Sequence, residues 1–280
     1  MRREEDEIQV LGSQKSFNER RVKKSYAIIV FIIIAVILTL AFLYFCFLQK
    51  NNHDNSNIEQ TQENITELQT LKTENTNSSI NISNDSINDV PLLILALHNL
   101  KPELQIGLPD TTDQSTVLAL PAADVRKDNQ EIVGDFILQG NEISRGKRKV
   151  GYCSIIEGKL EIGISTDNNI KDICMDKQGS LFRQYILVFE GNIQKNILKG
   201  KSYRRALIVQ NNQTYIIISK KRESLYDFSE AISDLGFQDA IYLVGGDSFG
   251  FYRNNNGELN LIGKPENEQY PKRNYIVFKK

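Results

Sequence analysis

Four consecutive residues, Gly245, Gly246, Asp247 and Ser248, combine features of an anion site. They follow the apolar run 241–244, which predicts a strand that ends at the glycine pair. Paired glycines at a strand end let backbone N–H groups approach a ligand closely, and the polar side chains that follow then face the same space. This arrangement suits a phosphate group. The same residues are also typical of an ordinary turn, so both interpretations stay open.

Two other stretches place charged groups next to apolar runs. Arg204 and Arg205 lead into the strand-like run 206–210. Because successive strand residues face opposite sides of a sheet, we expect only one of the two guanidinium groups to face inward, where it would suit a phosphate or a carboxylate. Residues 134–136 read Gly-Asp-Phe within another apolar run, so Asp135 adds a carboxylate to the candidate groups.

The histidine content excludes several chemistries. The chain of 280 residues has only two histidines, His53 and His98, so one chain cannot assemble a zinc site from several imidazoles or a cluster of imidazole bases. A Ser-His-Asp triad would have to use His98, which follows the apolar run 92–97 and is better explained by packing or solvation. We therefore expect no metal site and no other cofactor.

Residues 26–48 predict a transmembrane helix. This run of 23 residues contains no charge, and a helix of that length, roughly 35 Å, exceeds a bilayer core of about 30 Å. Bulky residues at its end argue against a cleaved signal peptide. Basic residues crowd its N-terminal flank, so the positive-inside rule predicts a cytoplasmic tail at 1–25 and an extracytoplasmic C-terminal part. The protein is thus expected to be a single-pass membrane protein.

Residues 49–90 are expected to form a flexible linker. The segment is rich in Asn and acidic, and residues 51–90 contain no Gly or aromatic side chain, so little apolar surface is present to offset the entropy of ordering. Ile65, Leu68 and Leu71 recur at helical spacing and would allow self-association, although two turns are too few to predict a coiled coil.

Residues 91–280 predict one sheet-rich α+β domain. Short β-branched and aromatic runs alternate with polar or glycine punctuation, and hairpin turns are expected at 157–159 and 211–213. A capping box at Ser224–Asp227 starts a helix that Gly236 ends, and a shorter helix is expected over about 170–177. The predicted strands are 115–120, 131–138, 149–157, 159–165, 184–190, 206–210, 214–220, 240–244 and 275–280.

Two cysteines fall within this domain, Cys153 in a predicted strand and Cys174 in the shorter predicted helix. An oxidising compartment would permit a disulfide between them. Buried free thiols are the alternative, because both cysteines lie on apolar faces.

The order of these motifs resembles the phosphodiester glycosidase family. That family shows an NGGFF-like segment, an R-T-A strand, and a helix that leads to a DALNLDGGGSS-like segment. The corresponding stretches here, in chain order, are Gly-Asp-Phe (134–136), EGKLEIGIS (157–165), LFRQYILVFEG (181–191), RRALIV (204–209), SLYDFSEAISDLGF (224–237) and DAIYLVGGDS (239–248). The resemblance covers roughly residues 115–280 and implies a hydrolase that cleaves between a sugar anomeric carbon and a phosphodiester.

The resemblance also assigns roles to residues. Arg204, Gly245, Gly246 and Ser248 match the family's motif and are implied to bind substrate. Val244 stands where the family has the aspartate of its D-G-G motif, and Tyr242 where it has an asparagine. Glycosidases generally use two carboxylates. Asp247 and Asp135 are therefore the expected catalytic residues.

Three functions remain open at this point. The first is a membrane-anchored glycosidase that hydrolyses sugar-1-phosphodiesters. The second is a protein of the same fold that binds a cell-envelope carbohydrate or phospho-glycan without cleaving it, and the third is a structural partner in a membrane assembly. The retained Arg204 and glycine pair favour the first two, and the valine at 244 favours the last two. The expected partners are the membrane and a phospho-glycan, with no role for nucleic acid.

Overall fold

The computed structural model of the protein describes residues 77–146, 149–265 and 273–280. The apolar and β-branched runs of these residues form strands, all of them paired antiparallel in three sheets. In chain order the strands are β1 (Ser79–Ile87), β2 (Val90–His98), β3 (Lys101–Ile106), β4 (Thr116–Pro121), β5 (Phe136–Leu138), β6 (Asn141–Ser144), β7 (Gly151–Ile156), β8 (Lys159–Ile164), β9 (Ser180–Gln184), β10 (Ile186–Phe189), β11 (Asn192–Ile193), β12 (Arg205–Gln210), β13 (Gln213–Ser219), β14 (Ala240–Leu243), β15 (Gly250–Arg253), β16 (Leu259–Ile262) and β17 (Asn274–Lys279).

The largest sheet has seven strands in the order β1-β2-β13-β12-β14-β10-β11. Its central strands are buried on both faces, because side chains alternate between two cores. Leu207 and Ile241 point into the main core, which the sheet shares with residues of the other two sheets. Ala206 and Tyr242, one position along in the same strands, point into a second core under a helix.

The other two sheets have five strands each. The second sheet has the order β16-β15-β4-β17-β3, and the third has the order β6-β5-β9-β7-β8. Strand β4 is buried at every position, and five of the six residues of β17 are buried as well. The end of β4 and the end of β14 approach each other, because the Val244 N–H donates to the Pro121 carbonyl at 3.1 Å. This junction places the loop after β14 beside the chain that leaves β4.

The described residues contain two helices, α1 (Asn169–Asp176) and α2 (Leu225–Asp234). The predicted capping of α2 is present, since the Ser224 hydroxyl accepts from the Asp227 N–H at 3.0 Å. Phe228 and Ile232 pack on the seven-stranded sheet, and Gly236 follows the helix with a φ of 85°. A positive φ of this kind is the usual reason for a glycine at a helix end.

The prediction of an α+β fold is wrong for the described residues. The described chain is predominantly β, and its helices have only 8 and 10 residues against three antiparallel sheets. Most of the short apolar runs form strands, and the two helices pack against them, α1 on β7 and β9 and α2 on β10 and β11. Within the described residues no helix is both long and apolar enough to cross a membrane. The predicted tail 1–25, the predicted transmembrane segment 26–48 and most of the predicted linker lie outside the described residues.

The end of the predicted linker forms a strand. β1 pairs with β2 along its whole length, from Ser79 opposite His98 to Ile87 opposite Val90. Asn88 and Asp89 make the two-residue turn with φ values of 50° and 62°. Two positive φ values are typical of the type I′ hairpin turn. The strand is polar because it lies at the sheet edge and buries only Ile80, so its composition resembled that of a linker.

Candidate functional site

The glycine pair after β14 is required by a close approach of two backbone segments. A Cβ atom on Gly245 would lie 2.1 Å from the Tyr203 carbonyl oxygen, so no larger residue fits there. Gly246 has a φ of 65° and donates its N–H to the same Tyr203 carbonyl at 2.8 Å. The Gly245 N–H donates to the Tyr242 hydroxyl at 3.2 Å. Both glycine N–H groups that were expected to hold a phosphate are therefore bonded within the protein.

Arg205 fixes the carbonyl groups of the loop that contains these glycines. Its Nη1 donates to the Val244 carbonyl at 3.2 Å, and its Nη2 donates to the Gly246 and Ser248 carbonyls at 3.3 and 2.7 Å. The side chain is fully buried, and burial lowers its pKa to about 10. It lies opposite Leu243 in the sheet, which brings the guanidinium under the loop. Arg205 thus sets the shape of the loop from beneath.

Arg204, the predicted substrate ligand, lies on the opposite face of the sheet. Its Nε donates to the Glu223 carbonyl at 2.9 Å and its Nη2 to the Gly200 carbonyl at 2.6 Å. The guanidinium also lies 6.0 Å from the centre of the Tyr242 ring. Both adjacent arginines are buried, whereas the sequence predicted one, because both faces of this sheet are covered. Arg204 is used to join two backbone segments.

Asp135, one predicted catalytic carboxylate, forms a buried ion pair with Arg183. Its Oδ2 lies 2.7 Å from the Arg183 Nε, and its Oδ1 accepts from the Gly146 N–H at 2.9 Å. Arg183 also donates to the Ser165 and Asp167 carbonyls at 2.6 and 3.1 Å. The two side chains are 2% and 0% exposed. Both carboxylate oxygens of Asp135 therefore hold backbone and arginine inside the domain.

Asp247 and Ser248, by contrast, line an open cavity of about 550 Å³. The cavity lies at the junction of β4 and β14, where Pro121 and Val244 form part of its apolar wall with Ala123 and Val125. The polar side chains that face it come from four separate stretches of the chain: Asp124, Lys127, Asp247, Ser248, Lys264 and Arg273. The structure thus brings Asp247 and Ser248 together with Val244. Asp135 and Arg204 are not among the described residues that line the cavity.

Among the described residues that line this cavity, cations outnumber carboxylates. Lys127, Lys264 and Arg273 face it together with Asp124 and Asp247. The Lys264 Nζ lies 3.1 Å from Asp247 Oδ2, and these side chains are 77% and 50% exposed. Burial lowers the pKa of Arg273 from its ordinary value. An exposed pair such as Lys264–Asp247 contributes only about 0–1 kcal/mol, so a ligand can compete with it.

Asp124 is held in place from behind. Its carboxylate pairs with Lys149, a buried lysine that also contacts the Gln184 side chain. The Lys149 ammonium lies 4.7 Å from the centre of the Tyr185 ring. Asp124 therefore presents to the cavity a carboxylate whose charge is partly compensated within the protein.

Sequence reasoning missed several of these groups. Lys264 and Arg273 belong to no recognisable motif and reach the cavity only through the sheet topology. Asp124 and Lys127 carried a signal, because they lie in a polar cluster directly after the buried strand β4. Residues at strand ends are common positions for binding groups on a rigid scaffold.

The two cysteines of the domain are free and buried. Burial raises the pKa of Cys174 to about 11 and that of Cys153 well above its ordinary value. The described residues contain no group of three or more His, Cys, Asp or Glu side chains placed to hold a metal ion.

The domain shares its fold with a solved phosphodiester glycosidase. The match is the zebrafish N-acetylglucosamine-1-phosphodiester alpha-N-acetylglucosaminidase catalytic domain, auto-inhibited by its pro-peptide, at 16% identity and a TM-score of 0.50. It covers 72% of this chain and 82% of that one. A hypothetical protein from Synechocystis matches at 12% identity and a TM-score of 0.47, over 72% of this chain and 62% of that one. No protein-family model and no curated protein sequence matches the chain. The resemblance seen in the sequence is confirmed as a distant likeness of fold.

Proposed function

We propose that the cavity beside Asp247 binds the phosphate of a sugar-1-phosphodiester and that the domain recognises this ligand without cleaving it. The observation that carries the proposal is the meeting of three cations at one cavity next to the glycine loop. Lys127 and Lys264 are exposed side chains with no folding role comparable to that of the buried arginines. Cations that face a concave site and exceed the carboxylates there favour an anionic ligand.

The apolar part of the wall suits the sugar. Pro121, Ala123, Val125 and Val244 offer carbon atoms against which a pyranose ring can pack, while the polar side chains reach its hydroxyl groups. A cavity of about 550 Å³ accommodates a monosaccharide together with its phosphate. We therefore expect the phosphate of the ligand to lie at Lys127 and Lys264 and its sugar ring to pack on the apolar wall.

Binding without cleavage follows from where the carboxylates lie. Glycoside hydrolysis generally needs two carboxylates on either side of the scissile bond. Val244 supplies no charge, Asp135 is enclosed by its ion pair, and Asp247 and Asp124 are each paired with a lysine. This arrangement favours recognition of the intact phosphodiester.

Hydrolysis is the second candidate, because Asp124 and Asp247 both line the cavity. One would protonate the leaving phosphate oxygen as a general acid. The other would activate a water that adds to the anomeric carbon, releasing the free sugar and a phosphate monoester. The fold shared with the zebrafish glycosidase is compatible with this reaction.

Calorimetric titration of the full-length protein with the methyl phosphodiesters of N-acetylglucosamine-1-phosphate and glucose-1-phosphate tests the proposal. We expect saturable binding that Lys127→Gln weakens by about tenfold, because a hydrogen-bonded charge is lost. Lys101→Gln, an exposed lysine on β3 that does not line the cavity, is the matched control and should leave the affinity unchanged. Absence of binding to either compound would refute the proposal, and release of free sugar would favour hydrolysis instead.

A further inference from the structure

Five exposed cations form a surface outside the cavity of the proposed function. We call it the basic ridge, and its members are Lys195, Lys199, Lys201, Lys221 and Arg222. They come from two chain segments that backbone contacts hold side by side. Ser202 and Glu223 exchange backbone hydrogen bonds at 3.0 and 2.8 Å, and the buried Arg204 donates to the Gly200 and Glu223 carbonyls. The ridge is therefore a fixed feature of the domain surface.

The positive charge of the ridge is only slightly compensated. Within the described residues, the ridge has one ion pair, in which the Lys201 Nζ lies 3.7 Å from the Glu223 carboxylate. Glu230, on the neighbouring helix α2, accepts a hydrogen bond from the Tyr226 hydroxyl at 3.2 Å. Like charges on neighbouring segments repel one another in the free protein. A multivalent anion would relieve that repulsion and release the counterions held by both partners.

The ridge continues from the proposed ligand cavity. The Gly246 N–H donates to the Tyr203 carbonyl, and the Ser202 Oγ lies 3.4 Å from the position of a Cβ atom on Gly246. Gly246 is followed directly by Asp247 and Ser248, which line the cavity. The surface thus runs from the cavity across Gly246 and Ser202 to Lys201, which is one of the ridge cations.

Apolar and aromatic side chains lie between the ridge cations. A second cavity of about 670 Å³ separates residues 193–200 from the start of α2, and Lys195, Lys199 and Tyr226 line it. Tyr226 is 61% exposed, and Ile197, in the same chain segment as the two lysines, is 74% exposed. Arg222 lies 5.8 Å from the centre of the Tyr203 ring. Exposed aromatic rings beside cations offer surfaces for the carbon faces of sugars between phosphate contacts.

We infer that the ligand is a linear chain of sugar units joined by phosphodiesters, with one unit in the cavity and the following units along the basic ridge. This inference rests on the proposed function, which places a sugar-1-phosphodiester in the cavity. The ridge assigns to that site a polymeric substrate class. A single sugar phosphate in the cavity would contact none of the ridge cations, whereas a chain of repeating phosphates contacts several of them at once.

Binding as a function of ligand length tests the inference. The full-length protein is titrated with synthetic sugar-1-phosphodiester oligomers of one, three and six repeats. We expect the longest oligomer to bind at least about tenfold more tightly than the single repeat, because ridge contacts become intramolecular once the first unit is bound. Its affinity should also fall more steeply with added salt.

The triple variant Lys199→Gln/Lys201→Gln/Lys221→Gln should reduce the affinity for six repeats to that for one repeat and leave the single-repeat affinity unchanged. The matched control changes the three exposed lysines Lys101, Lys159 and Lys177 to Gln and should bind all lengths as the wild type does. Unchanged melting temperatures would show that both triple variants are folded.

The outcomes separate this inference from the proposed function. Equal affinity for all lengths, or a length dependence that the ridge variant retains, would overturn the polymeric ligand and leave the cavity proposal standing. Binding of the six-repeat oligomer alone, lost in the ridge variant, would support the ridge and refute the cavity. A charge-matched oligodeoxynucleotide and polyglutamate should bind more weakly, and equal binding of either would overturn the assignment to a phospho-glycan.

Discussion

Charged residues in the interior of the domain are buried and bonded to the backbone, whereas those at the cavity are exposed to solvent. In the interior, Arg183, Arg204 and Arg205 are buried and donate to backbone carbonyls or to Asp135. At the cavity, Lys264 and Asp247 are largely exposed and contact each other at 3.1 Å. The sequence motifs that resemble a catalytic family thus coincide with structural arginines, while the groups free to meet a ligand lie beside them.

This contrast shows that residues which match a catalytic motif can serve the fold instead. A buried guanidinium that joins several carbonyls is costly to replace, because each carbonyl left without a donor is penalised in the interior. An exposed lysine at a cavity has no such constraint, so we expect its substitution to affect binding more than stability. Substitutions in the interior should therefore lower stability, and substitutions at the cavity should change binding.

The largest loss of stability is expected from the interior ion pair. Arg183→Met leaves the Asp135 carboxylate buried without its cation and should lower the free energy of unfolding by about 3–5 kcal/mol in urea titrations. The double variant Arg183→Met/Asp135→Leu removes both charges and should recover part of that loss. A loss below about 1 kcal/mol in the single variant would show that the interior pair behaves like a surface pair.

The next largest effect is expected at the glycine loop. Gly245→Ala places a Cβ atom 2.1 Å from the Tyr203 carbonyl oxygen, so the two segments must separate. We expect a loss of about 2–3 kcal/mol in the free energy of unfolding, as for overpacked sites. Gly146→Ala is the control, since Gly146 also lacks a positive φ and the atom nearest its Cβ position lies at an ordinary contact distance of 3.4 Å. An equal effect in both variants would show that the close approach to Tyr203 is not the cause of the loss.

Local patterns predicted much of the fold. The hairpin turns near 157–158 and 211–212 are present with positive φ at all four residues, and the capping of α2 is as expected. Both signals depend on neighbouring residues only. β1 was missed because an edge strand buries one side chain and keeps a polar composition.

The candidate site was harder to predict, for a reason that Arg204 illustrates. Strand alternation states that adjacent residues face opposite sides, but it does not state that a helix covers one side and the main core the other. Lys264 and Arg273 line the same cavity as Asp124 only because the ends of β4, β14, β16 and β17 come together in space. Contacts of such long sequence separation leave no spacing to recognise in the chain.

A smaller effect is expected from the buried thiol of Cys174. Burial raises its pKa to about 11, whereas in the unfolded chain a cysteine titrates near about 8.5. The unfolded state then loses a proton that the folded state keeps, so stability falls as the pH rises through this window. Between about pH 8 and 10.5, the free energy of unfolding of the Cys174→Ala variant should fall by about 1–2 kcal/mol less than that of the wild type. The free energy of unfolding is measured by urea titration at each pH, and Cys46→Ser is the control variant. An equal pH dependence in Cys174→Ala and the wild type would contradict the raised pKa of Cys174.

The smallest effect on stability is expected from Asp247→Asn, and it separates the two regions most sharply. The change removes an exposed partner of Lys264, so the free energy of unfolding should shift by less than about 1 kcal/mol. Ligand binding, by contrast, should become tighter. Losing one of the two carboxylates that the described residues place at the cavity frees Lys264 and removes repulsion of the incoming phosphate. The affinity for a sugar-1-phosphodiester should therefore rise severalfold. Calorimetry at low and high salt measures this, because an electrostatic gain must shrink as salt is added. A fall in affinity would mean that Asp247 contacts the ligand directly through its carboxylate, as hydrolysis requires.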